Sequence, residues 1–217
     1  MFCVKKLITS QILKSRSFCS KTNIFDPYFG LTEDQVALRD TVYEFTVNEF
    51  RPFMREWDKN EHFPADVLRK SSQLGFGGLF VSSEAGGAGL NRVDSALALE
   101  TLAMGCLSTS AYVALHNMVV WLIFRFGTDD QKSQFLSDLT TMTRFGAYCL
   151  TEPGSGSDAA SLRTTAKVDG DHYVLNGSKM FITAAEPGNV FLVLCRTGGP
   201  GPKVGCSCFT AKTNIQI

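Results

Sequence analysis

The 217-residue chain changes its local pattern near residue 145. From Leu31 to Met142 apolar residues recur at helical spacing. After Arg144 short apolar runs alternate with turn-forming pairs, as in β-structure. A doubly wound fold would interleave the two patterns, whereas here they are segregated. The reading is therefore α+β, an all-α helical domain over residues 23–145 followed by an antiparallel β-domain over 146–217. Residues 1–22 belong to neither.

In the helical part, Thr32-Glu33-Asp34-Gln35 has the form of a capping box, with Val36, Tyr43, Val47 and Phe50 as the expected apolar stripe. A second helix starts at Pro64, carries Val67, Leu68 and Leu74, and ends by Gly75. Gly86-Gly87-Ala88-Gly89 reads as a loop. Asp94–Met104 is a third helix, and Ser108–Phe126 a fourth, apolar on most sides and so expected at the centre. Thr128-Asp129-Asp130-Gln131 opens a fifth, with Phe135, Leu136 and Leu139 turned inward.

In the β part, Phe145–Leu150 is a first strand. Asp169-Gly170 and Asn176-Gly177 are hairpin signals of the type I′ kind. With His172–Leu175, Met180–Thr183 and Val190–Cys195 as further strands, the expectation is a meander.

Charge removes some functions. Twenty-one basic residues balance 21 acidic ones, so no basic excess is available to neutralise nucleic-acid phosphates. With 44% hydrophobic residues and 17 Phe, there is ample apolar bulk for a core. Seven Cys at irregular spacing do not make a disulfide framework, and Cys206-x-Cys208 lacks the further ligands zinc needs, so no metal is expected. Residues 1–25 contain Lys5, Lys6, Lys14, Arg16 and Lys21 but no acid, with Val4, Leu7, Ile8 and Ile12 on one helical face. That composition is a mitochondrial transit peptide over 1–22, addressing the chain to the matrix. No stretch reads as the ~20 apolar residues of a membrane span.

The chemically informative segment is Thr151-Glu152-Pro153-Gly154-Ser155-Gly156-Ser157-Asp158. Two glycines permit close approach of backbone to a ligand, and hydroxyls and loop amides can meet an anionic or carbonyl oxygen. A polar connecting loop is the plain alternative. Gly154-x-Gly156-x-x-Ala159 also matches the dinucleotide fingerprint, but that motif requires a following helix and an acid ≈20 residues on. Here the sequence continues into Thr164-Thr165 and two turn signals, with Gly177, Ser178 and Lys179 where the acid should stand.

Tyr148-Cys149-Leu150-Thr151-Glu152-Pro153-Gly154-Ser155-Gly156-Ser157-Asp158 resembles the flavin-loop signature of the acyl-CoA dehydrogenases. Asn176-Gly177-Ser178-Lys179-Met180-Phe181-Ile182-Thr183 resembles the family's second flavin segment, and Gly75-Phe76-Gly77-Gly78 and Gly86-Gly87-x-Gly89-Leu90 also match. His116-Asn117-Met118 and the run Cys195–Pro202 look most like the mitochondrial branch acting on isobutyryl-CoA in valine degradation. The resemblance implies FAD as cofactor, acyl-CoA as substrate, a homotetramer, and electron-transferring flavoprotein as electron acceptor. It implies that Tyr148, Cys149, Leu150, Thr151, Glu152, Pro153, Gly154, Ser155, Gly156 and Ser157 line the flavin, with Thr151 bonded to the isoalloxazine edge. Ser157 would meet the pantetheine arm, and Phe181, Ile182 and Thr183 would flank the flavin. In a strand, Phe181 and Thr183 would face one side. Leu115 would shorten the acyl pocket.

The resemblance implies a chain about twice as long, ending in a four-helix domain to which none of these 217 residues is expected to correspond. The resemblance places the catalytic carboxylate there, so no catalytic residue is expected in this chain. Glu152 and Asp158 stay open as alternative bases, since acid–base work needs only reach to the substrate proton. The other functional reading is a non-catalytic short form that folds partly or binds family partners.

Overall fold

A computed structural model describes residues 28–197 and 206–211. Residues 1–22, read from the sequence as a transit peptide, lie outside the described residues, as does most of the Cys195–Pro202 run. The chain divides into two compact units, Met1–Leu38 and Arg39–Ile217.

Among the described residues six α-helices come first: α1 (Glu33–Glu49), α2 (Met54–Lys59), α3 (Ala65–Ser72), α4 (Arg92–Ala103), α5 (Leu107–Phe126) and α6 (Asp129–Thr140). The expected capping boxes open α1 and α6. The Gln35 amide N–H reaches Thr32 Oγ1 and the Thr32 N–H reaches Gln35 Oε1, and Thr128 and Gln131 repeat the arrangement. Of the expected stripe, Phe50 is buried and Val36 and Val47 are half-buried, but Tyr43 is corrected. Arg39, Val42, Phe45 and Thr46 are buried, while Tyr43 stands exposed beneath the Arg39 guanidinium. The short α2, which buries no residue fully and half-buries Trp57, was not expected from the sequence.

Helix α5 is the hub, packed on α4, α6 and the first strand. Its 20 residues are long and apolar enough to cross a membrane, contrary to the sequence expectation. Within this fold Val113, Val119, Val120 and Ile123 are buried, so that apolar surface serves the protein core. Two polar residues in its middle turn outward to neighbours. Asn117 Oδ1 accepts from the Leu79 N–H (2.7 Å), and its Nδ2 donates to the Phe76 and Val113 carbonyls. His116 Nε2 donates to the Leu139 carbonyl (2.9 Å), and Nδ1 accepts from the Gly146 N–H (3.1 Å). The partners fix the tautomer, because a carbonyl only accepts and an amide N–H only donates. Through these bonds α5 holds the glycine-rich turn at 75–79, the end of α6 and the start of the sheet.

The sheet contains β1 (Gly146–Cys149), β2 (Thr165–Asp169), β3 (His172–Asn176), β4 (Val190–Arg196) and β5 (Cys206–Ala211). Its order is β1-β4-β2-β3, with β5 on β4. The sheet is mixed. β2–β3 and β4–β5 are antiparallel, but β1 and β2 both run parallel to β4. The expected meander is thereby corrected, since β4 does not follow β3 in space. The hairpin at Asp169-Gly170 is present, with Asp169 opposite His172 and Gly170 at φ +62°. Only the first of its two loop residues has positive φ, so it is not the type I′ turn expected. Asn176-Gly177 forms no hairpin. Gly177 has φ +157°, which L side chains rarely adopt, and a Cβ there would lie 2.3 Å from Thr164 Oγ1, so glycine is required by backbone and packing alike.

Two core clusters flank the sheet. Val190 and Leu192 face Val119, Val120, Ile123 and α6, whereas Ala147, Cys149, Phe191 and Val193 form the other side. This is the alternation that β-pleating imposes.

Candidate functional site

β4 has two edges, and β5 occupies one of them over residues 191–196. On the other edge β1 pairs with 190–193 and β2 meets Arg196. The segment 150–164 therefore leaves the sheet after β1 and returns to the same edge a few residues further along. The motif seen in the sequence is this excursion.

Its base is closed by side chains. The Glu152 carboxylate is buried and accepts from the Arg163 N–H (2.6 Å), the Thr164 N–H (2.9 Å) and Lys179 Nζ (2.8 Å). Burial by itself would raise the Glu152 pKa. The Lys179 ammonium and the bonds from Thr164 and Arg163 outweigh that and hold it at about 2. Glu152 and Ser155 pair across the tip as an isolated bridge, and Ser155 Oγ donates to the Asp158 carbonyl. At the exit, Arg196 Nε donates to the Leu162 carbonyl (2.6 Å) and its backbone N–H to the Thr164 carbonyl (2.8 Å).

The residues read from the sequence divide accordingly. Pro153, Gly154, Gly156 and Ser157 are exposed, and a Cβ on either glycine would meet nothing. Leu150 and Thr151 are half-buried. Cys149, Glu152 and Ser155 are buried, and Tyr148 packs toward the helices. Burial pushes the Cys149 thiol up to about 11, against a smaller opposite effect of Lys179, so it is neither nucleophile nor ligand at neutral pH.

The second segment lies alongside, with the Met180 N–H donating to the Thr151 carbonyl at 2.9 Å. It is not a strand, and this corrects the expectation for Met180–Thr183. Phe181 has φ +57° and Ala184 φ +59°, both in the left-handed region where a ladder cannot continue. The argument that put Phe181 and Thr183 on one face fails with it. Phe181 is 84% exposed, Thr183 half-buried, and Ile182 packs against the Ala147–Cys149 cluster. Leu115 is half-buried on the α5 face that includes exposed Leu107, Ala111 and Met118, away from the core-facing side.

Sequence reasoning missed Lys179 and Arg196. A signal for the first was present: Lys179 is the single charged residue of the 176–183 segment, and the 151–158 loop offers carboxylates to it. Among the described residues no group of three or more His, Cys, Asp or Glu could hold a metal.

Comparison with known proteins gives a family. Residues 32–143 match the acyl-CoA dehydrogenase N-terminal domain, and 147–216 the acyl-CoA dehydrogenase middle domain. Mitochondrial isobutyryl-CoA dehydrogenase of Bos taurus is 52% identical over 84% of this chain and 44% of its own length. The protein of the same name from Dictyostelium discoideum is 46% identical over 92% of this chain and 48% of its own. A glutaryl-CoA dehydrogenase from Mycobacterium smegmatis, solved in complex with FADH2, superposes with TM-score 0.80 at 29% identity, over 88% of this chain and 48% of that one. The chain spans about half the length of the curated relatives it matches. With matches to both domain descriptions in the expected order, this chain belongs to the acyl-CoA dehydrogenases, an oxidoreductase family.

Proposed function

We propose that this chain carries the flavin-binding half of an FAD-dependent acyl-CoA dehydrogenase that desaturates a short branched acyl-CoA, isobutyryl-CoA in valine degradation. Electron-transferring flavoprotein would take the electrons. The observation that carries the reading is the surface formed by exposed Pro153, Gly154, Gly156 and Ser157 and the exposed Phe181 ring, joined through Met180 and Thr151. Glycines that pack against nothing and an aromatic ring held at an unfavourable backbone angle have no purpose in this chain's own packing.

These residues fit an isoalloxazine. Phe181 would supply an apolar face, and the Thr151 and Thr183 hydroxyls would serve as partners for polar ring atoms. FAD, when bound, accepts the substrate's β-hydrogen as hydride. Ser157 would hold the pantetheine arm, and Leu115 would limit the acyl pocket to small branched groups. Glu152 is not the base. Its oxygens are already bonded to three donors, and a carboxyl at about 2 is a weak proton acceptor. The helical and β parts would act as domains 23–145 and 146–217, within a homotetramer of the longer form. The relatives are named mitochondrial, and the matrix is the proposed location.

The test is the visible spectrum of the 217-residue chain refolded with FAD and desalted, followed by assay with isobutyryl-CoA and an artificial acceptor. A retained flavin spectrum with negligible turnover is expected. A colourless protein would refute flavin binding by this chain, and measurable turnover would refute the assignment of the base to another domain. A non-catalytic short form is the second reading, favoured by the commitment of Glu152 to Lys179.

A further inference from the structure

The chain from Gly177 to Asn189 crosses the site without belonging to any strand, so no ladder fixes Phe181 in place. A segment outside a sheet is held by whatever bonds its backbone and side chains make. Next to Phe181 those bonds are few and specific. The Met180 N–H reaches the Thr151 carbonyl (2.9 Å), and Lys179 Nζ reaches both the Leu150 carbonyl (2.9 Å) and Glu152 Oε1 (2.8 Å). Lys179 and Glu152 are 9% and 6% exposed, so water does not compete for this pair. Glu152 in turn holds the Arg163 and Thr164 amides at the loop's return.

We propose that Lys179 and Glu152 are positioning residues, a buried charged latch that locks the 150–155 loop to the Phe181 segment and so presents the two as one ligand surface. The inference rests on the flavin reading above. It assigns neither residue contact with the ligand. Lys179 acts by bonding the last residue of the β1 exit and the loop carboxylate together, two positions before the aromatic ring. The geometry explains why a Phe at positive φ stays in place: the residues before it are tied on three acceptors and donors, and Ile182 after it is packed on the sheet. Removing the ammonium leaves a buried carboxylate short of one partner and frees the Leu150 carbonyl, so the segment should detach locally while α5 and the helices stay folded.

The experiment measures amide hydrogen exchange at Met180, Arg163 and Thr164, and FAD affinity by flavin fluorescence, in the full chain and in Lys179→Met, Glu152→Gln and Lys179→Arg. Met180 exchange is expected to accelerate at least tenfold in Lys179→Met, with Val119 and Val120 in α5 unchanged and FAD bound at least tenfold more weakly. Glu152→Gln, nearly isosteric, should show the same pattern more mildly. Lys179→Arg, which keeps charge and donors, should recover protection. Unchanged Met180 exchange in Lys179→Met overturns the latch. So does equal acceleration throughout α5, which would make the pair a global stability element. A wild-type chain that takes up no FAD would refute the flavin reading alone, and the Met180 amide would then decide the latch by itself.

Discussion

His116 shows how one buried side chain can set the pH range of the fold. It is wholly enclosed, and burial lowers its pKa to about 4, against the opposing effect of its bonds to backbone groups at Leu139 and Gly77. The unfolded chain takes up a proton near pH 6.5 while the folded one refuses it until about 4. The contribution is therefore fully present above 6.5 and is lost as pH falls toward 4, up to about 3 kcal/mol. Urea midpoints at pH 7 and pH 4.5 should differ accordingly, and a flat profile over that window would contradict a buried, neutral His116. Glu152 works in a lower window. Its depressed value makes its contribution present above its ordinary range and lost as pH falls toward 2. Phe181 is the converse case, a residue whose local cost points to use elsewhere. Its left-handed backbone disfavours a bulky side chain by roughly 1 kcal/mol, and its ring gains little in return. Phe181→Asn should leave stability equal or higher while weakening flavin binding. A clear drop in thermal midpoint would show that the ring already packs within the chain.

At the scale of elements, the helix starts that carry a capping box were legible because that signal is local. Thr32 and Thr128 with their glutamine partners were read directly, and both boxes are formed. The strand assigned to 180–183 was not, because a short apolar run such as Met180-Phe181-Ile182 also suits a loop pinned by side chains. Only the three-dimensional path of β4 shows that its edge is already taken by β1 and β2. The missed strand β2 has a weak signature for a related reason: its face after Ala166 is exposed. Glycines were read as loop punctuation, but several are packing requirements. A Cβ on Gly77 would fall 2.1 Å from the Thr140 carbonyl oxygen, at the point where the 75–79 turn meets the end of α6. Gly77→Ala should destabilise by about 2 kcal/mol, the range of overpacked cores. The check is calorimetry of this variant beside Gly154→Ala, which has open space and should be near neutral.

For the whole molecule, the segregation of helix from sheet was visible in the sequence, and so was the loop that the site is built on. The direction of the strands was not, since parallel pairing of β1 and β2 with β4 depends on partners 30 to 45 residues apart and leaves no local trace. Nor was the distinction between loop residues that face outward and those, like Glu152 and Ser155, that hold the loop shut. One buried group turns this architecture into something that can be timed. Cys149 closes β1 immediately before the loop, under Phe191 and Val193, with its thiol proton held up to about 11. An alkylating reagent can reach it only when the sheet parts from its covering segment. Its modification, read peptide by peptide in a mass spectrometer, is thus a clock for the breathing of the site. Half-buried Cys106 at the start of α5 should be labelled first and Cys149 later by orders of magnitude, at a rate that follows opening rather than reagent concentration once the reagent is abundant. Simultaneous labelling would mean that the chain opens as a single unit.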